Sequence, residues 1–218
     1  MKYKAAIFDL DGTLLNTLDD LCDAVNATME HYGYPCRTLA EVRAAVGNGV
    51  ERLIALSLPD GRNTPDFDKI AAYYRAYYDA HSEVKTAPCE GVLDLIDGLE
   101  KEGIRPAVVS NKPNASTVKL CAKYFPRIST VGGEREAEGV RRKPYPDMVH
   151  RAVEEMGLTP ADCVYIGASE VDVLTAKNAG MDCITVLWGF RSRDELEREG
   201  ADCFADTADE VFRLIAGE

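Results

Sequence analysis

Two aspartates near the start of the sequence, Asp9 and Asp11, have the type and spacing of residues that do chemistry. The apolar run 5–8 before them and the Asp11-Gly12 pair predict a buried strand that ends in a turn, with both acids at its carboxyl end. In open α/β sheets, ligands bind in the crevice at that end of the strands. Two neighbouring carboxylates repel each other, which raises the pKa of one of them unless a cation lies between them. The pair therefore predicts a divalent metal site combined with a nucleophile and an acid.

Two other interpretations of this segment remain open. One is a solvent-exposed Asp-Gly turn, which is common on its own. The other is a calcium-binding loop, which is disfavoured because Gly12 comes too early and no glutamate closes the loop.

Helical patterns, which must help to position these acids, fill residues 15–87. Thr17 is predicted to cap a first helix, and Thr38 with Glu41 has the pattern of a capping box for a second. Thr64-Pro65 has the form of a further helix start. The helix after it carries a stripe predicted to be the core of a small bundle: Phe67, Ile70, Tyr74, Tyr77 and His81.

A break within these helices, Gly47-Asn48-Gly49, is a candidate specificity loop. Two glycines around a polar side chain suit a loop that faces a ligand. We therefore predict that Asn48 influences the choice of substrate.

From residue 88 onward, helical stretches alternate with short apolar runs. The predicted strands cover residues 105–109, 128–131, 163–166, 183–187 and, at an edge, 201–205. The predicted helices cover residues 91–102, 118–124, 146–156, 171–179 and 209–216. Such alternation predicts a parallel sheet covered on both faces. The predicted fold class is α/β, a Rossmann-like doubly wound parallel sheet (residues 1–14 and 88–218) with an inserted helical cap domain (residues 15–87).

Four motifs, in family order, resemble those of the haloacid dehalogenase-like (HAD) superfamily phosphatases. Residues 8–14, Phe-Asp-Leu-Asp-Gly-Thr-Leu, resemble the first motif, and Ser110-Asn-Lys112 resembles the second. Lys143-Pro144 resembles the third motif, and residues 166–172 resemble the acidic fourth. Within the family, residues 46–50 and 188–193 look most like the phosphoglycolate phosphatase branch.

The resemblance implies a fold with a mobile cap, hinged near residues 14–17 and 84–90, and a magnesium-dependent phosphomonoesterase activity. Asp9 would be the nucleophile that forms an aspartyl-phosphate, and Asp11 would protonate the leaving group and then activate water. Lys143 would offset the charge that grows on the transferring phosphoryl group. The implied phosphate-binding residues are Ser110, Asn111 and Gly12. The implied magnesium ligands are Asp9, Asp11 and Asp172.

The fourth motif departs from the family pattern at Ala168. Family members typically carry an acid here that ligates magnesium directly, and alanine supplies no oxygen. We therefore expect weaker magnesium binding and slower turnover. Glu170 is a poor replacement, since it is predicted to lie on the following helix.

The composition restricts the partners. A net charge of −12 and a pI near 4.8 argue against nucleic acid as a binding partner. In a protein this acidic, a site for phosphate requires positive charge that is concentrated locally. Lys112 and Lys143 are the candidates for that charge, whereas Arg141 and Arg142 are expected on a solvated loop. The seven cysteines contain no Cys-x-x-Cys pair, so neither a zinc site nor a redox motif is indicated and buried free thiols are expected.

We expect a cytoplasmic monomer or weak homodimer, with a small phosphorylated metabolite as partner and with neither nucleic acid nor membrane.

The leading prediction is thus a phosphatase of the phosphoglycolate phosphatase type. Ala168 alone supports a second function, a catalytically weakened protein that binds a phosphate ligand. A third, a phosphohexomutase, would also need Asp9 and Asp11 but would retain the phosphoryl group.

Overall fold

The computed structural model describes residues 2–217, which form ten α-helices and eight β-strands. The strands are β1 (Ala5–Phe8), β2 (Leu15–Asn16), β3 (Ala87–Pro88), β4 (Arg105–Pro113), β5 (Thr130–Glu134), β6 (Cys163–Gly167), β7 (Asp182–Val186) and β8 (Phe204–Ala205). The helices are α1 (Leu18–His31), α2 (Leu39–Ala45), α3 (Val50–Ser57), α4 (Phe67–His81), α5 (Val92–Lys101), α6 (Asn114–Tyr124), α7 (Asp147–Glu155), α8 (Glu170–Ala179), α9 (Arg193–Arg198) and α10 (Ala208–Ala216). The helix α9 has no counterpart in the sequence prediction.

A parallel sheet with strand order β5-β4-β1-β6-β7-β8 forms the centre of the molecule. Each neighbouring pair runs in the same direction. The chain adds strands on one side of β1 and then crosses to the other side, so the order reverses next to β1. Such a reversal opens a crevice at the carboxyl ends of the strands. The predicted α/β doubly wound fold is confirmed.

Side chains of β1 alternate between two hydrophobic clusters on opposite faces of the sheet. Ala6 and Phe8 belong to the cluster that includes residues of α5, α6 and α10. Ala5 and Ile7 belong to the cluster that includes residues of α7 and α8. Because β1 is buried on both faces, its sequence is a continuous apolar run, as expected for a central parallel strand.

Helices α1 to α4 have a hydrophobic cluster of their own. The predicted stripe of α4 is buried at Phe67, Ile70 and Tyr74, and Tyr77 packs half-buried against the same cluster. The prediction is wrong for His81, which is exposed and stacks on Tyr77 with ring centroids 4.1 Å apart, and it omitted the buried Tyr78. A period of 3.6 residues lets position 74 continue to either 77 or 78, so the sequence pattern does not separate these two positions.

Two of the three predicted helix starts differ from the structure. Thr38 and Glu41 form the predicted capping box. Thr17 precedes α1 but makes no capping bond, since its hydroxyl donates to Asp11. The α4 helix begins at Phe67 rather than directly after Thr64. The Thr17 hydroxyl is thus committed to the predicted catalytic segment.

The helical insertion joins the sheet through the short antiparallel pair of β2 and β3. Asp20 of α1 stabilises this junction, because its buried carboxylate accepts hydrogen bonds from the main-chain N–H of Lys85 (2.9 Å) and Thr86 (2.8 Å) and from the Thr86 hydroxyl (2.8 Å). The junction lies where the family resemblance implies a hinge, and the division into two domains stays a prediction.

We expect Asp20→Ala to lower the free energy of unfolding by about 2–3 kcal/mol, because buried main-chain donors lose a charged acceptor. Chemical denaturation with urea measures this change. Asp23→Ala is the matched control, since Asp23 pairs with the exposed Lys85 side chain at 2.6 Å and its loss should matter little. Equal stability of the two variants would contradict a stabilising role for Asp20.

Two expectations from composition can be compared with the structure. None of the helices within residues 2–217 is long and apolar enough to cross a membrane. All seven cysteines are free thiols, and three of them are buried (Cys22, Cys121 and Cys163), whereas Cys36 is exposed.

Candidate active site

The two aspartates of the first motif lie at the carboxyl end of β1, as predicted. The main-chain N–H of Asp9 donates to the carbonyl of Ile166 at 2.9 Å, which extends the pairing of β1 with β6. Gly12 has a φ of 82°, a left-handed conformation that favours glycine, and it turns the chain toward the insertion. Its N–H donates to the carbonyl of Leu15 at 2.8 Å, so the predicted contact from Gly12 to a phosphate would have to replace this bond.

Lys143 lies at the centre of a buried cluster of charges. Its ammonium donates to Asp9 Oδ1 at 2.8 Å, to Asp172 Oδ1 at 2.7 Å and to the hydroxyl of Tyr165 at 2.9 Å. The Lys143 side chain is only 2% exposed. Burial opposes its charged form, but the Asp172 and Asp9 carboxylates outweigh burial and raise the pKa of Lys143 well above its usual value. The structure thus brings together three residues predicted from separate motifs.

Burial also acts on the predicted nucleophile, Asp9. It raises the pKa of Asp9 above its ordinary value, although the Lys143 ammonium opposes this shift. The second oxygen of this carboxylate, Oδ2, accepts no hydrogen bond from the residues the structure describes. Asp9 therefore presents one oxygen held by Lys143 and one oxygen available to a ligand.

Asp172 uses both of its oxygens within the protein. Oδ1 accepts from Lys143 and, at 3.1 Å, from the Tyr165 hydroxyl. Oδ2 accepts from the N–H groups of Ala168 and Ser169, each at 3.1 Å, and from the Ser169 hydroxyl at 2.6 Å. These contacts favour a role in orienting Lys143 over the predicted direct ligation of a metal.

Asp11, the predicted general acid, has two hydrogen-bond partners, Lys112 and Thr17. The Lys112 ammonium donates to its two carboxylate oxygens at 2.9 and 3.0 Å, and the Thr17 hydroxyl donates to Oδ1 at 2.7 Å. Burial opposes the charge of Lys112, but the Asp11 carboxylate outweighs it and raises the pKa of Lys112 above its usual value. The ammonium also lies over the ring of Tyr78, 4.5 Å from its centroid. Lys112 therefore supplies the local positive charge that the composition requires.

The other two residues of the second motif differ in their availability. The Ser110 hydroxyl accepts from the N–H of Lys112 at 3.3 Å and can still donate. Asn111 is more committed, since its side-chain oxygen accepts from the N–H of Lys143 at 2.8 Å. Its amide donates to the carbonyls of Lys143 (3.0 Å) and Gly47 (3.1 Å). Asn111 thus braces Lys143, which the structure favours over the predicted phosphate contact.

A cavity of about 90 Å³ lies between the sheet and the helical insertion. Asp9, Asp11 and Ser110 line it from the sheet, and the insertion contributes Gly47, Gly49, Tyr74, Tyr78 and Arg75. Asn48 is not among the residues that line the cavity, so its predicted effect on specificity stays a prediction.

Arg142 is not the solvated residue that the sequence predicted. Its guanidinium pairs with Glu51 of the insertion at 3.5 Å and with Glu136 at 3.4 Å. Arg141 does lie at the surface, where it pairs with Asp147 at 2.7 Å. Arg142 therefore joins the insertion to the sheet near the cavity.

The oxygen donors fit a magnesium ion with few protein ligands. Within residues 2–217, no three His, Cys, Asp or Glu side chains converge as metal ligands. Ala168 lines the cavity without an oxygen, and the Asp172 carboxylate is fully engaged. The available donors are the Asp9 carboxylate, which accepts a single hydrogen bond through Oδ1, and the main-chain carbonyl of Asp11, which accepts none from the described residues. Magnesium commonly takes one or two carboxylates and completes its shell with water and substrate phosphate, so the chemistry of these donors is compatible with the ion.

Tyr165, Thr17 and Arg191 are site residues that the sequence analysis did not identify. Tyr165 stands in a buried strand, and a buried tyrosine hydroxyl requires a hydrogen-bond partner, which was the available signal. Thr17 was predicted to be an ordinary helix cap, and Arg191 was noted only as part of residues 188–193, which resemble the phosphoglycolate phosphatase branch. Their roles depend on side-chain contacts between different elements, which local patterns do not record.

This fold and site define a family of enzymes. Residues 6–186 match the family model of the haloacid dehalogenase-like hydrolases, and the chain belongs to this family. Among its relatives, the phosphoglycolate phosphatase of Thiobacillus denitrificans is 33% identical over 199 residues, which cover 87% of this chain and 86% of that protein. The phosphoglycolate phosphatase of Xanthomonas campestris is 31% identical over 199 residues, which cover 88% of this chain and 86% of that protein.

A solved structure resembles the whole chain. The crystal structure of a candidate phosphoglycolate phosphatase from Lactobacillus delbrueckii has a TM-score of 0.94, with 37% identity and full coverage of both chains. The similarity therefore includes the helical insertion as well as the sheet.

Proposed function

We propose that this protein is a magnesium-dependent phosphomonoesterase of the phosphoglycolate phosphatase type that acts through an aspartyl-phosphate. One observation carries the proposal: Asp9, buried at the end of β1, is held by Lys143 through one oxygen and keeps the other free of hydrogen bonds from the described residues. The names of the relatives support the same reaction class.

In the first step, Asp9 Oδ2 attacks phosphorus, and the bond from phosphorus to the ester oxygen breaks. For this step Asp11 must carry a proton, so its ion pair with Lys112 gives way to a neutral hydrogen bond before Asp11 protonates the departing alkoxide as a general acid. In the second step, Asp11 takes a proton from water, which attacks the aspartyl-phosphate and releases inorganic phosphate. Asp9 is regenerated as a carboxylate, so both acids return to their starting states.

The remaining residues of the site bind and orient. Ser110 donates its hydroxyl hydrogen to a phosphoryl oxygen, and Lys143 offsets the charge that develops there. Thr17 and Lys112 fix the position of the Asp11 carboxylate through the contacts described above. Magnesium, held by Asp9 and the Asp11 carbonyl, would reduce the repulsion between the carboxylate and the phosphate.

The names of the relatives point to a small phosphorylated acid such as phosphoglycolate as the substrate. Its phosphoryl group would enter the cavity beside Asp9, Asp11 and Ser110, and the panel of esters below decides how large the rest of the substrate can be.

The test is phosphate release from a panel of esters that spans phosphoglycolate, hexose phosphates and an aryl phosphate, with and without added magnesium. We expect the highest kcat/KM for phosphoglycolate and a loss of turnover in EDTA. No phosphate release from any ester at saturating magnesium would contradict the proposal.

Ala168 also supports a second candidate, a catalytically weakened protein that binds a phosphate ligand. Its side chain is buried and lines the cavity, but it provides no ligand for a metal. Measurable affinity for inorganic phosphate without turnover of any ester would identify this function.

We expect Ala168→Asp to tighten magnesium binding by at least about tenfold and to raise the turnover rate, because the new carboxylate adds an oxygen ligand. Without metal, the variant should have a lower Tm than the wild type, since another acid joins Asp9 and Asp172. Magnesium titrations followed by Tm and by phosphate release measure both effects. Ala168→Asn is the matched control for side-chain size, and equal magnesium responses in all three proteins would show that the site is complete without this acid.

A further inference from the structure

The segment Trp188–Arg191, which follows β7, packs against both loops of the candidate site, and we call it the strap. The Trp188 ring N–H donates to the carbonyl of Thr13 at 3.0 Å. The ring of Phe190 lies against Gly12, where a Cβ atom would approach it to 3.0 Å. Gly189 is pressed against Ala168, since a Cβ at position 189 would lie 2.3 Å from the Ala168 Cβ. The strap therefore touches the loop of Asp9 and Asp11 and the loop that precedes α8.

Arg191 extends from the strap to the end of helix α2 in the insertion. Its guanidinium donates to the carbonyls of Arg43 (3.0 Å) and Val46 (2.8 Å). The last carbonyls of a helix have no partner within the helix, so these bonds satisfy groups that would otherwise need water. Glu170, the first residue of α8, holds the same guanidinium through Nε at 2.9 Å. The Arg191 side chain is only 10% exposed.

Arg43 makes the reciprocal contact from the insertion to the strap. Its guanidinium donates to the carbonyls of Phe190 (2.9 Å) and Gly189 (3.0 Å). The Phe190 side chain packs against the hydrophobic cluster of helices α1 to α4. Arg43 thus donates to the main chain of the strap, and Arg191 donates to the main chain at the end of α2. The ring of Phe190 lies in the same contact region and packs against the insertion.

These contacts are continuous with the charged centre of the site. Val46, which Arg191 holds, begins the loop 46–49 beside the cavity. The next carbonyl in this loop, that of Gly47, accepts from Asn111. Asn111 in turn holds the main chain of Lys143 on both sides, through its N–H and its carbonyl. A connected path therefore runs from Glu170 through Arg191 and Asn111 to Lys143.

We propose that Arg191 is a positioning residue: held by Glu170, it keeps the loop 46–49 over the cavity and thereby fixes Asn111 and Lys143. The catalytic consequence rests on the proposed phosphatase function. Arginine is required because one planar group with several donors serves two carbonyls and one carboxylate at once, which an ammonium on a lysine stem does not reproduce.

The test compares Arg191→Ala and Arg191→Lys with the matched control Arg193→Ala. Arg193 lies two residues further on, pairs at long range with Glu197 (3.9 Å) and Asp206 (4.0 Å), and stacks over the ring of Phe204, 4.3 Å from its centroid. We expect kcat to fall by about 10²-fold in both Arg191 variants, the loss that a displacement of about 1 Å at the reacting groups can cause. Arg193→Ala should stay near the wild-type value. Glu170→Gln should retain more activity than Glu170→Ala, because the amide oxygen can still accept from the guanidinium.

Two readouts do not depend on turnover. Hydrogen exchange of the amides of residues 46–49 should become faster in Arg191→Ala, while exchange in the β1 strand should be unchanged. Trp188 is the only tryptophan of the chain, so its fluorescence reports on the strap during a titration with inorganic phosphate. The dissociation constant for phosphate should rise in Arg191→Ala and stay unchanged in Arg193→Ala.

Unchanged exchange at residues 46–49, or a kcat loss no larger than that of Arg193→Ala, would overturn the role of Arg191. If the wild type releases no phosphate from any ester, the phosphatase proposal fails, and the exchange and phosphate-binding results still decide whether Arg191 holds the loop. Should an Arg191 variant fail to fold, the comparison of Glu170→Ala with Glu170→Gln tests the same contact.

Discussion

Asp9→Asn should remain folded and lose at least about 10⁴-fold in kcat, the scale of loss expected when a nucleophile is removed. The amide oxygen can still accept from Lys143, so the buried contact at 2.8 Å survives in the variant. What disappears is the anionic oxygen that attacks phosphorus. The substitution therefore separates chemistry from folding.

Phosphate release from phosphoglycolate measures the effect, with Tm as the check on folding. Asp162→Asn is a suitable control, because this aspartate pairs with exposed Lys4 at 2.7 Å, away from the cavity. A folded Asp9→Asn protein with more than a small fraction of wild-type turnover would show that another group is the nucleophile.

Lys143→Met should lower the free energy of unfolding by about 3–5 kcal/mol, the cost of removing one partner from a buried charge cluster. Methionine fills the space of the lysine stem, so little packing is lost. Asp9 and Asp172, however, would lose the cation that both contact, at 2.8 and 2.7 Å. Turnover should fall as well, since nothing then offsets the charge of the transferring group.

Urea denaturation of the metal-free protein measures the stability change. Lys4→Met provides the comparison, because its ion pair with Asp162 lies at the surface and should contribute little. If the two variants were equally stable, the ion pairs of Lys143 would not be important for the folded state.

The sequence predicted the sheet and the three main catalytic candidates because both leave local signals. Apolar runs that alternate with amphipathic stretches identify β4 and β6 and the helices between them, whatever their partners. Asp9, Asp11 and Lys143 belong to short motifs, and parallel strands bring their carboxyl ends to one edge of the sheet. Several bounds needed adjustment, as for β4, which continues to Pro113, and the short elements β2, β3 and α9 had no counterpart in the prediction.

The parts that the sequence did not predict depend on side-chain contacts between different elements. Thr17 has the pattern of a helix cap, but its hydroxyl binds Asp11 across the turn from the sheet to the insertion. Asn111 comes just after the predicted strand 105–109, as a phosphate ligand would, yet its amide braces Lys143. Arg191 reaches Arg43, which precedes it by 148 positions. Periodicity records which face of an element is apolar, and it contains no information about such polar partners.

The β2–β3 pair has a consequence for how tightly the helical insertion must hold the sheet. The chain passes between the sheet and the insertion only at β2 and β3, which pair with each other. The insertion therefore stays tethered to the sheet even when its other contacts break. A short tether maintains an effective concentration on the order of millimolar for the two surfaces. Re-association then needs no encounter between separate molecules and incurs none of the translational entropy loss of bimolecular binding. Hydrogen bonds such as those of Arg43 and Arg191 are therefore enough, together with the contacts of Arg142 and Asn111, to keep the insertion against the sheet.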